Sequence, residues 1–205
     1  MGLYYEEEKL NPLWGIWLRT REVIGERIHA TTKMQKLVLL ILFGLTLNLE
    51  SASIRGLGDR MELSMILIVS VLSSIVVGFI WWWVISFLLH WMSRLLGGTA
   101  TFLETRQAIL WATLAYTAKL VIWIPQLLIF GKEMFTDQTP VLDSSMVLQL
   151  LFILFVIISA VFSIWLFVIL SKALAEVHDL TNFRGFGAII IPISVLIVLK
   201  AIISI

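Results

Sequence analysis

Three ionisable residues stand where the surrounding sequence is apolar. Lys119 lies in LAYTAKLVIWIP (114–125), Glu50 closes FGLTLNLE (43–50), and Lys200 lies in VLIVLKAII (195–203). A charge held in hydrocarbon costs at least about 2.5–3.5 kcal/mol on insertion scales, so such residues are expected to face other helices and to be paired. At about 1.5 Å per helical residue, Lys119 is 13 residues beyond Arg106, Glu50 is 14 beyond Lys36, and Lys200 is 14 beyond Phe186. Each would then stand roughly 20 Å from one common boundary, in one layer. The signs predict a Glu50–Lys119 pair. With Lys200 nearby the layer would be net positive, able to hold a lipid phosphate or a substrate carboxylate. The alternative is that the pair only locks the bundle while Lys200 snorkels to the opposite face.

Other chemistry lacks its residues. His29, His90 and His178 share no ligand spacing, and there is no HExxH. No two carboxylates share an apolar stretch, no GxxxxGK loop is present, and the absence of cysteine excludes thiolate metal sites. Glu133, Asp137 and Asp143 read as a solvated acidic loop. No catalytic residue, metal or cofactor is expected, and the chain reads as non-enzymatic.

The elements that position these residues follow from composition. Of 205 residues, 60% are hydrophobic and 14% charged, with a mean hydropathy of +0.98. A soluble domain carries about a quarter charged residues, so a bilayer is the solvent that fits. A net charge of +1 offers no field for nucleic acid. Five stretches approach the roughly 20 apolar residues of a crossing: 36–53, 64–92, 107–130, 146–171 and 186–205. Backbone groups in lipid must be satisfied internally, which predicts helices and an all-α polytopic membrane domain over 36–205. Ten Lys and Arg on the N-terminal side against four on the other place the N-terminus in the cytoplasm and the C-terminus outside. The opening MGLYYEEEKL lacks the order of a signal peptide, and Glu6 occupies the position where a myristoylation motif wants Ser or Thr.

Residues 1–35 form a cytoplasmic segment with an amphipathic helix over about 12–29. At about 100° per residue Leu13, Trp17, Ile24 and Ile28 share an arc widened by Trp14 and Ile16, with Arg21 and Arg27 flanking it. That pattern predicts a helix lying on the inner leaflet; packing on a partner or on the bundle underside is the alternative.

In GGTATFLE, Gly97 and Gly98 can end the second span in left-handed conformations, and Thr101 with Glu104 has capping-box spacing. In HDLTNFRG, Asp179 or Thr181 can cap the fifth span, and His178 reads as a solvated loop histidine. A second reading joins Gly97, Gly98, Thr101, Glu104, His178 and Asp179 with Trp14, Trp17, Arg21 and Arg27 into one interfacial or partner-binding surface. Trp81, Trp82 and Trp83 point three ways, so at least one faces lipid. On the third span, Ala112, Ala115, Tyr116, Lys119, Trp123 and Gln126 share the side expected to meet other helices. Gly78, Pro125 and Pro192 mark kinks or close-packing points.

Three stretches carry a family resemblance. NPLWGIWLRTREVI resembles the opening segment of bacterial Yip-domain proteins (the Ypt-interacting-protein family), which often read Trp, two residues, then Pro-Arg-x-Thr-Ile. Trp17, Arg21 and Ile24 match, whereas Thr20 and Val23 replace the proline and the threonine. LLGGTATFLETRQAILWA is similar to the family's Gly-Gly loop, and LSKALAEVHDLTNFRGFGA to its fourth loop. The resemblance implies a five-span scaffold without known catalytic activity. Eukaryotic relatives resemble trafficking factors that engage small GTPases through a long cytosolic domain, which a segment of 35 residues does not supply. The bacterial pattern implies an accessory subunit that binds membrane lipids and another integral membrane protein, such as an ABC-type export or envelope-defence system. A homo-oligomer is compatible with this. A small carrier or lipid-binding protein built on Glu50, Lys119 and Lys200 is the reading from a different class.

Overall fold

The computed structural model describes residues 11–203; the acidic opening and its Lys9 lie outside them. In chain order the helices are α1 (Pro12–Leu18), α2 (Thr20–Arg27), α3 (Lys33–Ile54), α4 (Leu63–Leu95), α5 (Phe102–Thr117), α6 (Lys119–Phe130), α7 (Pro140–Asp143), α8 (Met146–Val177) and α9 (Asn182–Ile203). Short 3₁₀ turns occupy Leu57–Asp59 and Gly131–Phe135. Five stretches are long and apolar enough to cross a membrane: α3, α4, Phe102–Phe135, α8 and Asn182–Ile202. Their exposed residues are Leu, Ile, Val and Phe over most of their length, α8 above all. So continuous an apolar surface is stable against acyl chains and not against water.

Small residues set how closely these helices approach. A Cβ on Gly44 would lie 1.8 Å from the Ser74 carbonyl oxygen, and one on Gly78 would lie 2.1 Å from that of Leu40. The backbones of α3 and α4 therefore touch, as helix pairs in lipid often do. Gly185 of α9 likewise sits against Ser171 of α8, its Cβ position 2.4 Å from the carbonyl oxygen. Two buried clusters result. One joins Ile16, Val23, Ile24, Trp82, Ile109 and Leu174 at the N-terminal end of the bundle. The other joins Leu49, Ala52, Ile66, Trp123 and Phe135 towards the far end.

Two expectations change. The segment 12–29 is two helices, because Arg19 adopts φ −113°, ψ 43°, outside helical values. That interruption shifts the phase, so a single arc drawn through both halves does not continue. Ile16, Thr20, Val23 and Ile24 are buried, with α2 packed on α8 and α5, whereas Leu13, Trp14 and Leu18 are exposed. The underside of the bundle is thus the docking site of α2. The third crossing is also interrupted, at Ala118 rather than at Pro125. Thr113 and Thr117 donate their hydroxyls to the carbonyls of Leu110 and Leu114 three residues back, competition that bends helices.

Candidate functional site

Lys119 opens α6 just past the interruption, between Ala115 of the first buried cluster and Trp123 of the second. Its side chain is 6% exposed, and its Nζ lies 2.5 Å from Oε1 of Glu50 on α3. Tyr116, one turn earlier, donates its hydroxyl to the other carboxylate oxygen, and the ammonium lies 4.5 Å from the centre of the Tyr116 ring. Both oxygens of Glu50 are therefore engaged, and the group is neutral as a whole. Ala112, Ala115, Lys119, Trp123 and Gln126 are all buried, so the side of the third crossing rich in small and polar residues does face the bundle.

Glu50 borders two cavities. One of about 530 Å³ is lined by Asn48, Ser51, Arg55, Trp81 and Tyr116; the other, of about 210 Å³, is lined by Ser53, Trp123, Gln126, Phe152 and Ser159. Lys200 lines neither. It is exposed on α9, which packs against α8 and α4. Height along a helix is one coordinate only, and the direction in which the residue faces is set by packing. The group around Glu50 is Lys119 and Tyr116.

At the N-terminal end of the bundle, two helix ends are tied together. α4 ends in a Schellman motif: Gly97 N–H bonds the Arg94 carbonyl at 3.1 Å and Gly98 N–H the Ser93 carbonyl at 2.9 Å. Only Gly97, at φ +93°, is left-handed. Gly98 is small for another reason: a Cβ there would lie 2.4 Å from Nδ1 of His178. α8 ends in a similar turn, with Asp179 left-handed at φ +55° and Leu180 N–H bonded to the Ala175 carbonyl at 2.9 Å. Thr99 joins the two ends, its N–H reaching the His178 carbonyl at 3.2 Å and its hydroxyl reaching Asp179 at 3.0 Å. Thr101 and Glu104 form the capping box of α5, and Thr181 caps α9 through the Arg184 N–H at 3.3 Å.

His178 is not a solvated loop residue; it is fully buried. Its Nε2 lies 3.0 Å from the Thr105 hydroxyl, and His90 Nδ1 lies 2.9 Å from the same oxygen. Thr105 donates its own hydrogen to the Thr101 carbonyl at 2.9 Å, so both imidazole nitrogens facing it are donors. Nδ1 of His178 then keeps a buried lone pair without a hydrogen-bond partner. Burial, with His90 and Arg94 nearby, pushes the His178 imidazole down to about 4, against the opposite pull of Glu104 and Asp179.

The N-terminal helices are fastened to this end. Arg21 donates to the Leu180 carbonyl at 3.3 Å and to Asn182 at 2.9 Å, and pairs with Glu176 at 3.5 Å. Trp17 packs edge-on against Phe162, and Arg27 lies over Trp111. Of the ten residues proposed for a surface, Arg21, Gly98, Thr101, Glu104, His178 and Asp179 thus bind the chain to itself, while Trp14 stays 77% exposed.

One cluster was not anticipated. Trp82 is fully buried and donates its indole N–H to the Arg106 carbonyl at 2.9 Å. Lys36 lies 4.5 Å and the Arg106 guanidinium 5.0 Å from the Trp82 ring, with Arg106 also 4.7 Å from Trp83. Trp81 and Trp83 are each about half-exposed. The sequence carries only a partial signal, a basic residue entering each of two spans and a tryptophan run on a third; that these spans adjoin is decided by packing.

Crossing helices with apolar exteriors, an internal ion pair and hydrogen-bonded loops at one end define a polytopic membrane protein. The family model of the Yip1 domain matches residues 14–203, and the chain belongs to that family. No curated protein and no solved structure matches it.

Proposed function

We propose that this Yip1-domain protein is a non-enzymatic membrane scaffold or accessory subunit that binds another integral membrane protein. The observation that carries this reading is the fastening of α2 by Arg21 and of α1 by Ile16 and Trp17, which leaves Leu13, Trp14 and Leu18 outward on a fixed support. An anchor held in place before binding loses less freedom when a partner covers it. The Lys and Arg count supports a cytoplasmic position for this end, and an ABC-type export system is the finer reading of the partner. A photoreactive amino acid at position 14, activated in native membranes, tests it. The expected product is a discrete adduct with one integral membrane protein, lost in Arg21→Ala. Adducts to lipid alone would overturn the scaffold reading.

Glu50 favours a second reading, because it borders two cavities and its partner Lys119 is buried between the helices. A small carrier or lipid-binding protein would use that charge. Under it, Lys119→Leu abolishes retention of a small molecule or lipid in these cavities while the adduct at position 14 persists.

A further inference from the structure

Between α3 and α4, on the N-terminal side of the Gly44–Gly78 contact, runs a groove of about 480 Å³. Its walls are Leu37, Leu40, Ile75, Val76, Phe79 and Ile80, and its end carries Lys33 and Lys36. From Lys33 to Leu40 is seven residues, so the walled part is roughly 10 Å long, enough for the first half of an acyl chain. The apolar walls are open, with Val76 57% and Ile80 54% exposed.

The charged end has an unusual balance. α3 begins with Lys33, carries Lys36 one turn later, and has no acidic residue in its first turn. Cations at the positive end of a helix macrodipole are unfavourable, and an anion there is favourable. Arg106 adds a third cation, since it and Lys36 share the Trp82 ring. Its Nε is buried without a hydrogen-bond partner, and among the described residues no carboxylate pairs with Lys33, Lys36 or Arg106. Two lysines therefore stand at the end of an apolar groove, with Arg106 behind Lys36 across the Trp82 ring, which calls for a ligand with one anionic head and one apolar tail.

We infer that the α3–α4 groove binds an anionic phospholipid of the leaflet on the N-terminal side. Its phosphate lies between Lys33 and Lys36, and one acyl chain lies along Leu37, Val76, Phe79 and Ile80. This site is separate from the Glu50 pair and does not depend on the scaffold reading.

The full chain in nanodiscs, transferred to native mass spectrometry, tests it with phosphatidylglycerol against phosphatidylcholine. The expected result is retention of phosphatidylglycerol at one per chain, with phosphatidylcholine lost. Two lysines near a membrane surface correspond to a roughly 30-fold weaker retention in Lys33→Gln/Lys36→Gln. Val76→Trp fills the groove at an exposed position, leaves the cations in place, and is expected to release the lipid as well. Equal retention of both lipids by the unaltered chain would overturn the proposal without any variant. So would displacement by inorganic phosphate combined with indifference to Val76→Trp, which would mark an anion site without a chain-binding groove.

Discussion

A side chain on Gly98 would occupy the space of the His178 imidazole, with its Cβ 2.4 Å from Nδ1. The second glycine of the Gly-Gly loop is thus a contact between the α4–α5 and α8–α9 turns, and the loop's two glycines do different work. Gly98→Ala is expected to destabilise by about 1–3 kcal/mol, as overpacking does. Thermal unfolding in detergent measures this. His178→Ala in the same chain removes the nearest of these contacts and leaves the Ser93 carbonyl oxygen 2.8 Å away, so a smaller loss on adding Gly98→Ala to His178→Ala than to the unaltered chain checks the cause.

The buried imidazole makes the stability of this end dependent on pH. Its folded value of about 4 lies below the ordinary 6.5, so the unfolded chain binds the extra proton between them. The contribution of neutral His178 is complete above pH 6.5 and falls as the pH drops towards 4. Unfolding temperatures measured across that window should decline more steeply for the unaltered chain than for His178→Gln. Parallel curves would show that His178 does not titrate on unfolding.

Removing one member of the Glu50–Lys119 pair leaves the other charged among helices. Glu50→Gln or Lys119→Met alone is expected to cost about 3–5 kcal/mol, the range for a broken buried pair. The exchange Glu50→Lys/Lys119→Glu should be tolerated better than Glu50→Lys or Lys119→Glu alone, read as yield of folded protein. If the exchange is no better, the two residues are not energetically coupled.

Arg21 ties α2 to the α8–α9 turn through a half-exposed side chain. Arg21→Ala is expected to cost only about 1 kcal/mol globally, since exposed pairs contribute little. Its larger effect should be local: limited proteolysis ought to cut faster within residues 12–31. An unchanged cleavage pattern would mean that the buried Ile16, Val23 and Ile24 suffice to dock the helices.

Gly78→Leu places a side chain where the Leu40 carbonyl oxygen stands 2.1 Å from the Cβ position. Backbone cannot yield as a flexible side chain does, so α3 and α4 should separate. Loss of the engineered disulfide between cysteines placed along this interface in Gly78→Leu, against its formation in the unaltered background, checks the prediction.

Much of the fold is legible in the sequence because lipid imposes one-dimensional rules. The length of apolar runs, the obligation of the backbone to bond within its own segment, and cap residues such as Thr101 and Glu104 all act locally along the chain. The pairing of Glu50 with Lys119 is also open to such reasoning, since an uncompensated charge in hydrocarbon is costly and few candidates exist at one height. Tertiary structure alone decided the rest. Lys200 is exposed and lines neither cavity beside Glu50, because helical rise fixes depth and only packing fixes direction. His178 is polar in type and loop-like in setting, but two turns close over it and exclude water. The phase of α1 and α2 depended on the dihedral angles of Arg19 alone. Lys36, Arg106 and Trp82 come from three crossings, and no spacing within one segment could say that α3, α4 and α5 would bring them to one ring.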